Sequence, residues 1–189
     1  MDKRVIKTKK NISDALLSLI GKKESSKITV SEITKIAGIE RKTFYLHYSC
    51  IEDVYKDLEN HIEDDLEIEA KKIIDDPNFK FQNIYYNMNV VINNNLNFFK
   101  AIAKNDSYSF LLHSFEKILS NAISKLALKA YDIKSPRVKY YADFYAAGML
   151  KIYVEWLRDE IDLSLDELTI ILSKASFLSL DDLIVSTSA

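Results

Sequence analysis

The sequence predicts an all-α protein, with an N-terminal three-helix unit built around a helix-turn-helix and a C-terminal helical bundle. Three observations carry this prediction. The 189 residues include only 3 Gly and 2 Pro, too little of the punctuation that tight β-turns require. Apolar residues recur at three- and four-residue steps along most of the chain, the period of a helix with one buried face. Hydrophobic residues make up 48% and charged residues 29%, the balance of an ordinary globular chain rather than a disordered or collagen-like one. At this length folding buries roughly 70% of the unfolded surface, enough for a core without disulfide staples.

From Lys3 to Ile20 the residues Val5, Ile6, Ile12, Ala15, Leu16, Leu19 and Ile20 form one apolar stripe, and Gly21 supplies a C-terminal stop. Thr29 followed three positions later by Glu32 is a capping-box pattern, because each side chain can satisfy a backbone N–H near the other. A short helix is therefore expected over Val30 to Ala37. Gly38 interrupts it, and 41–48 resumes a helical pattern with Phe44 and Tyr48 four apart on one face. Ser49 reads as the next cap. A long helix is expected over 51–75, with Val54, Leu58, Ile62, Leu66, Ile73 and Ile74 inward and a dense acidic exterior. Asp76-Pro77-Asn78 ends it, since proline disfavours the helical conformation in the residue before it. Further helices are expected near 79–93, 95–104, 107–131, 136–159 and 165–180, with the last eight residues fraying.

Charge divides the chain as sharply as periodicity does. Residues 1–50 hold 11 Lys and Arg against 5 Asp and Glu, a balance of +6, whereas 51–189 hold 15 against 23, a balance of -8; together they make the net -2. A basic head on an acidic body suggests that only the head approaches a polyanion. The domain reading follows the same line: 1–50 for the head and 51–189 for the body.

Composition also excludes whole function classes. The lone Cys50 cannot form an internal disulfide. Three scattered histidines provide neither C-x-x-C nor H-E-x-x-H, so neither a metal nor a cofactor is expected. No glycine loop cradles phosphate, no nucleophile and base share a local signature, and no catalytic residue is assigned. Charges from Asp2 to Lys7 forestall a signal-peptide core, and no apolar run is long enough for a membrane span, so the expected location is cytoplasmic.

Residues 28–48 hold every part of a helix-turn-helix. Val30, Ile33 and Ala37 give the first helix an apolar face, Gly38 can take positive φ, Ile39 plugs the turn, and Phe44 with Tyr48 forms the buried edge of the second helix. Its outward edge would carry Arg41, Lys42, Thr43, Tyr45 and His47, side chains able to reach phosphates and base edges in a major groove.

Ile28-Thr29-Val30 through Ile36-Ala37-Gly38-Ile39, then Thr43-Phe44-Tyr45-Leu46-His47-Tyr48 and an adjoining long helix, resemble the signature of the tetracycline-repressor (TetR) family of transcription regulators. The resemblance covers Lys3 to Asn60. It implies DNA contacts from Thr29, Arg41, Lys42, Thr43, Tyr45 and His47, with Tyr45 and His47 as backbone anchors. At the start of the next helix family members usually carry a phosphate-gripping lysine; here Ile51 stands instead and reads as a packing residue. Tyr145-Ala146-Ala147-Gly148-Met149-Leu150 through Glu155-Trp156-Leu157 is similar to a subgroup that includes activators of dihydroxyacetone kinase operons. The resemblance further implies a homodimer through helices near 136–159 and 165–180, where Ala142, Ala146, Ala147 and Gly148 would permit close approach. The partner is a double-stranded DNA operator, the role most often that of a repressor, with a small-molecule effector in the body.

Sixteen of the 21 aromatic residues lie between Phe79 and Trp156. Aromatic stripes at helical spacing form a solid core or line a cavity between helices; the cavity reading names Tyr85, Phe99, Phe110, His113, Tyr141 and Tyr145. Lys3, Arg4, Lys7, Lys9 and Lys10 read as flanking DNA phosphates. The competing class is a helical protein-interaction module whose basic head binds a protein partner instead of DNA.

Overall fold

The computed structural model describes residues 3–76, 83–131 and 136–174, and no strand occurs among them. The helices are α1 (Lys3–Ile20), α2 (Val30–Ala37), α3 (Arg41–Tyr45), α4 (Ile51–Ile74), α5 (Asn83–Asn94), α6 (Leu96–Ala103), α7 (Ser109–Tyr131) and α8 (Val138–Leu157), followed by α9 over 165–174, where the described residues end. Positions 79–82 and 175–180 of the expected helices, and the expected frayed end, lie outside the described residues.

Local chemistry accounts for where the observed ends differ from the expected ones. Ahead of α7 the chain makes a tighter 3-10 turn over Asp106–Tyr108, because the Asn105 side chain accepts the Ser107 N–H at 3.1 Å and holds the turn before the helix begins. The cap of α4 is Cys50 rather than Ser49: the Asp53 carboxylate accepts from the N–H groups of both Ser49 (2.6 Å) and Cys50 (3.3 Å). Between α5 and α6, Asn95 donates from its side chain to Asp65 (2.9 Å) and to the Val91 carbonyl (3.0 Å), which fixes the bend in the asparagine run. The exterior of α4 is not uniformly exposed. Glu59 and Glu69 are buried, with Lys56 at 3.3 Å and Lys72 at 2.5 Å as their partners.

A single apolar core runs from Ile12 in α1 to Leu172 in α9. Helix α4 joins its two ends: Val54 and Tyr55 are buried near its start, and Ile62, Leu66 and Ile73 further on. In the body, α8 packs mainly on α7. Ala142 and Ala146 are buried, while Ala147 and Gly148 are exposed. The close approach expected of all four small residues therefore divides, with two serving this chain's own packing.

One polar network is sealed inside that packing. The Tyr153 hydroxyl donates to Asn89 Oδ1 (2.9 Å), Asn89 Nδ2 donates to Thr169 Oγ1 (2.5 Å), and Thr169 donates to the Leu165 carbonyl (2.9 Å). It locks α5, α8 and α9 in one register, since a slip would leave buried polar groups unpaired. Asn89→Ala, which orphans the Tyr153 hydroxyl and opens a small void, is expected to lower unfolding stability by about 2–3 kcal/mol in urea denaturation.

Candidate nucleic-acid interface

The first helix of the motif starts where its capping residues require. The Glu32 N–H donates to Thr29 Oγ1 (3.3 Å), and the Thr29 N–H and hydroxyl donate to Glu32 Oε2 (3.1 and 3.0 Å). The Lys23 ammonium pairs with the same carboxylate. Its hydrogen bond, together with those of Thr29, holds Glu32 below the usual glutamate range. At the other end Gly38 adopts φ 66°, and the N–H groups of Gly38 and Ile39 both donate to the Thr34 carbonyl. That left-handed step turns the chain into α3, with Ile39 packed against the core behind it.

Helix α3 ends at Tyr45, short of the expected 41–48, with His47 and Tyr48 in the turn that follows it, and burial of Phe44 and Tyr48 sets its orientation. Phe44 is fully buried and Tyr48 nearly so, their rings 5.8 Å apart; burying a ring of this size is worth about 2–3 kcal/mol. The Tyr48 hydroxyl donates to Asp57 Oδ2 at 2.6 Å, and Lys9 lies 3.3 Å from both Asp57 oxygens and 5.1 Å from the Tyr48 ring centre. Burial, reinforced by the Asp57 charge, pushes the tyrosine pKa up, so the phenol remains a donor. Three helices, α1, α3 and α4, meet in this knot.

The opposite edge faces outward. Arg41 and Lys42 are exposed, Tyr45 is 51% exposed, and Thr43 and His47 are partly covered. Leu46 is 73% exposed. The Arg41 guanidinium reaches Ser31 Oγ at 3.2 Å and the Tyr45 hydroxyl at 3.4 Å, so it bridges the start of α2 to α3 and brings the Thr29–Ser31 turn beside the outward edge. Thr29 is itself exposed, with its hydroxyl engaged in the cap.

Several placements differ from the sequence reading. Lys9, grouped with residues flanking phosphate, is turned inward to Asp57. Ile51 is partly buried against the core, as its packing role requires. Cys50 is a free thiol at the α4 cap. A backbone bond at Asp53 lowers its pKa, but the Glu52 side chain, desolvation and the charges of Asp53 and Glu52 outweigh that and push it up, away from a reactive thiolate. Asp57 and Ser31 carry positioning roles that no local pattern announces, because their partners are distant in sequence or on another helix.

The six residues named for an effector cavity fall in three places in the body. Tyr85 and Tyr145 are buried; burial, aided by Tyr145, raises the Tyr85 pKa, and burial, aided by Tyr141, raises that of Tyr145. Phe99 sits in a cluster with Phe98 and Phe115, centroids 5.5–5.6 Å apart. Phe110 is 45% exposed against Tyr55 and Tyr108, and His113 is exposed. Among the described residues, a cleft of about 540 Å³ lies between α4 and α7, and a second, of about 740 Å³ and polar lining, lies between residues 21–24 and α6; none of the six lines either. No cluster of metal-ligating side chains occurs among the described residues, and no helix among them is long and apolar enough to cross a membrane.

This arrangement has counterparts. The family described as a transcriptional regulator C-terminal region matches residues 80–177. A protein from Listeria innocua, Lin0861, is 20% identical over 94% of this chain and 93% of its own, with a TM-score of 0.70. The dihydroxyacetone kinase operon activator DhaS is 21% identical over 95% of each chain, TM-score 0.57. A TetR-family transcriptional regulator from Streptomyces coelicolor is 15% identical over 87% of this chain and 78% of its own, TM-score 0.58. At these identities the solved structures share the fold. No curated protein matches the sequence.

The motif's geometry sets two expected outcomes. A Cβ at Gly38 would meet no atom within 4 Å, so Gly38→Ala should cost only the left-handed backbone, about 1–2 kcal/mol in urea denaturation. Glu32 has a lowered folded pKa, so its contribution is present above the ordinary glutamate range and lost as pH falls through the folded value. The stability gap between the parent protein and Glu32→Gln should therefore be largest near neutrality and close on acidification, followed by denaturation midpoints across pH.

Proposed function

Because the chain belongs to the TetR family of transcriptional regulators, we propose that it represses transcription as a homodimer that reads a pseudo-palindromic operator and answers to a small-molecule effector. Residues 1–50 read DNA, and 51–189 sense and dimerise. The observation that carries the proposal is the division of α3 and the turn after it: Phe44 and Tyr48 are buried while Arg41, Lys42 and Tyr45 lie open to solvent, on a head of charge +6.

In this reading Lys42 and Tyr45 engage the DNA backbone, with Thr43 and His47 beside them. Arg41 is pre-aimed by Ser31 and Tyr45 and can present its planar donor array to phosphate or guanine. Thr29 sets the start of α2, whose first N–H groups suit a phosphate. A second copy fits on α8 and α9. There Tyr140 and Phe144 are 73% and 72% exposed, and Ile170 and Ile171 about half exposed, an apolar surface that a lone chain would leave in water. Two heads joined this way read half-sites about 34–36 Å apart, or a multiple of that. An effector acts by preferring one head separation over another, to the extent of its differential affinity.

Tyr45→Ala and Lys42→Ala should each weaken operator binding by roughly tenfold or more in gel-shift titration, with helical content and oligomeric state unchanged. Lys42→Ala should also flatten the slope of log affinity against log salt by about 2, one phosphate per subunit. Undiminished DNA binding in both variants would return the head to a protein-binding role. Phe144→Arg should convert dimer to folded monomer in analytical ultracentrifugation.

A further inference from the structure

DNA reading makes no use of the cleft of about 740 Å³ between the link that follows α1 and the outer face of α6. Asn97, Lys100 and Lys104 repeat at helical spacing along one wall, and Gly21 and Lys22 form part of the other. The body as a whole carries -8, yet this cleft is cationic. Its own acids are already neutralised, Glu24 by Lys27 at 3.0 Å and Asp106 by Arg158 at 2.8 Å. Its three lysines are matched by one carboxylate between them. Lys22 has no ion-pair partner among the described residues, while Lys104 at 2.5 Å and Lys100 at 3.9 Å share the single carboxylate of Asp159.

Asp159 occupies an unusual position. It ends α8 in the left-handed conformation, φ 62°, with the following Glu160 N–H donating to the Glu155 carbonyl at 2.9 Å. Glycine is the ordinary residue for such a helix end, and any other side chain there carries a conformational cost. The Lys104 hydrogen bond, ahead of the charges of Lys104 and Lys100, lowers the aspartate's pKa. Asp159 thus supplies one carboxylate to two ammonium groups that line the cleft.

The rim of the cleft is also the joint between head and body. Ser25 donates from its N–H to Ser107 Oγ and from its hydroxyl to the Ser107 carbonyl, both at 3.0 Å. Asn105 Nδ2 and the Tyr108 hydroxyl donate to the Lys23 carbonyl at 3.0 and 2.8 Å, and Lys23 continues to Glu32 in α2. On the other side Arg158 Nε donates to the Ala103 carbonyl at 2.6 Å.

We propose that this cleft binds a small, multiply charged anion, a phosphorylated or polycarboxylate metabolite, through Lys22, Lys100 and Lys104, with Asp159 as the internal carboxylate the ligand displaces. Occupancy draws Lys100 and Lys104 from the end of α8 toward the 21–24 link, and so loads the joint that carries the head. Anion binding stands independently of the DNA-binding role; only its consequence for operator affinity rests on that role.

Isothermal titration calorimetry of the full chain, with pyrophosphate and with citrate at ionic strength fixed by chloride, tests the site. Saturable binding is expected with a dissociation constant below about 1 mM for at least one probe, the better probe identifying phosphoryl or carboxylate chemistry. The double variant Lys22→Ala/Lys100→Ala should bind roughly tenfold more weakly. Asp159→Asn keeps a residue tolerant of left-handed backbone and removes the competing charge, so it should bind at least about fivefold more tightly, whereas the exposed neighbour in Glu160→Gln should change affinity less than about twofold. Heat that never saturates below about 10 mM, a response that tracks ionic strength alone, or unchanged or weaker affinity in Asp159→Asn would overturn the proposal. Operator affinity with and without pyrophosphate is then compared in the parent and the double-lysine variant: a shift confined to the parent supports coupling through the joint. Should no operator be bound at all, the calorimetry still decides the site.

Discussion

The contact on which the rest of this molecule depends is the burial of Phe44 and Tyr48 in the core, closed by the Tyr48 hydroxyl on Asp57 of α4 and by Lys9 of α1 over the Tyr48 ring. A helix of little more than one turn has almost no stability of its own. What gives α3 a defined orientation is that one edge leaves water and its phenol finds a carboxylate. With that edge pinned, Lys42 and Tyr45 can only project the other way. The chemistry of the exposed edge is thus a by-product of how the hidden edge is held, and Lys9 serves the surface best by being turned inward.

The same helix that supplies Asp57 also carries the body. Helix α4 buries Val54 and Tyr55 on the side of the head and Ile62, Leu66 and Ile73 further along, so head and body share a rigid element and a continuous core. Movement of one relative to the other must then be a matter of small tilts, and the polar stitching of residues 23–25 to 105–108 is the part of the contact that can yield without exposing apolar surface. Hydrogen bonds of this sort exchange with water at modest net cost, whereas prising Ile12 or Val54 from the core does not.

Much of the architecture is legible in residue order because it is local. Thr29 and Glu32 are three apart, Gly38 follows the last turn of α2, and the apolar steps of 3–20 and 51–75 have helical period; each reports on a structure its own neighbours complete. The contents of the body were less legible. A stripe containing Tyr85, Phe99, Phe110 and Tyr145 looks alike whether it lines a cavity or fills a core, since both need apolar side chains at the same spacing. Ala142 and Ala146 likewise could serve a contact within the chain or between chains.

Residue order by itself determined the helical class, the place of the helix-turn-helix, and the polarity of charge between residues 1–50 and 51–189, because capping, periodicity and composition act over a few residues. Only the tertiary structure decided which lysine pairs inward and which stays open, that Asn89, Tyr153 and Thr169 meet, and that Lys22, Lys100 and Lys104 line one cleft with Asp159 paired to two of them. Those partners lie tens of residues apart, and their meeting is set by how the helices pack around the shared core, a property of the whole chain that no window of sequence contains.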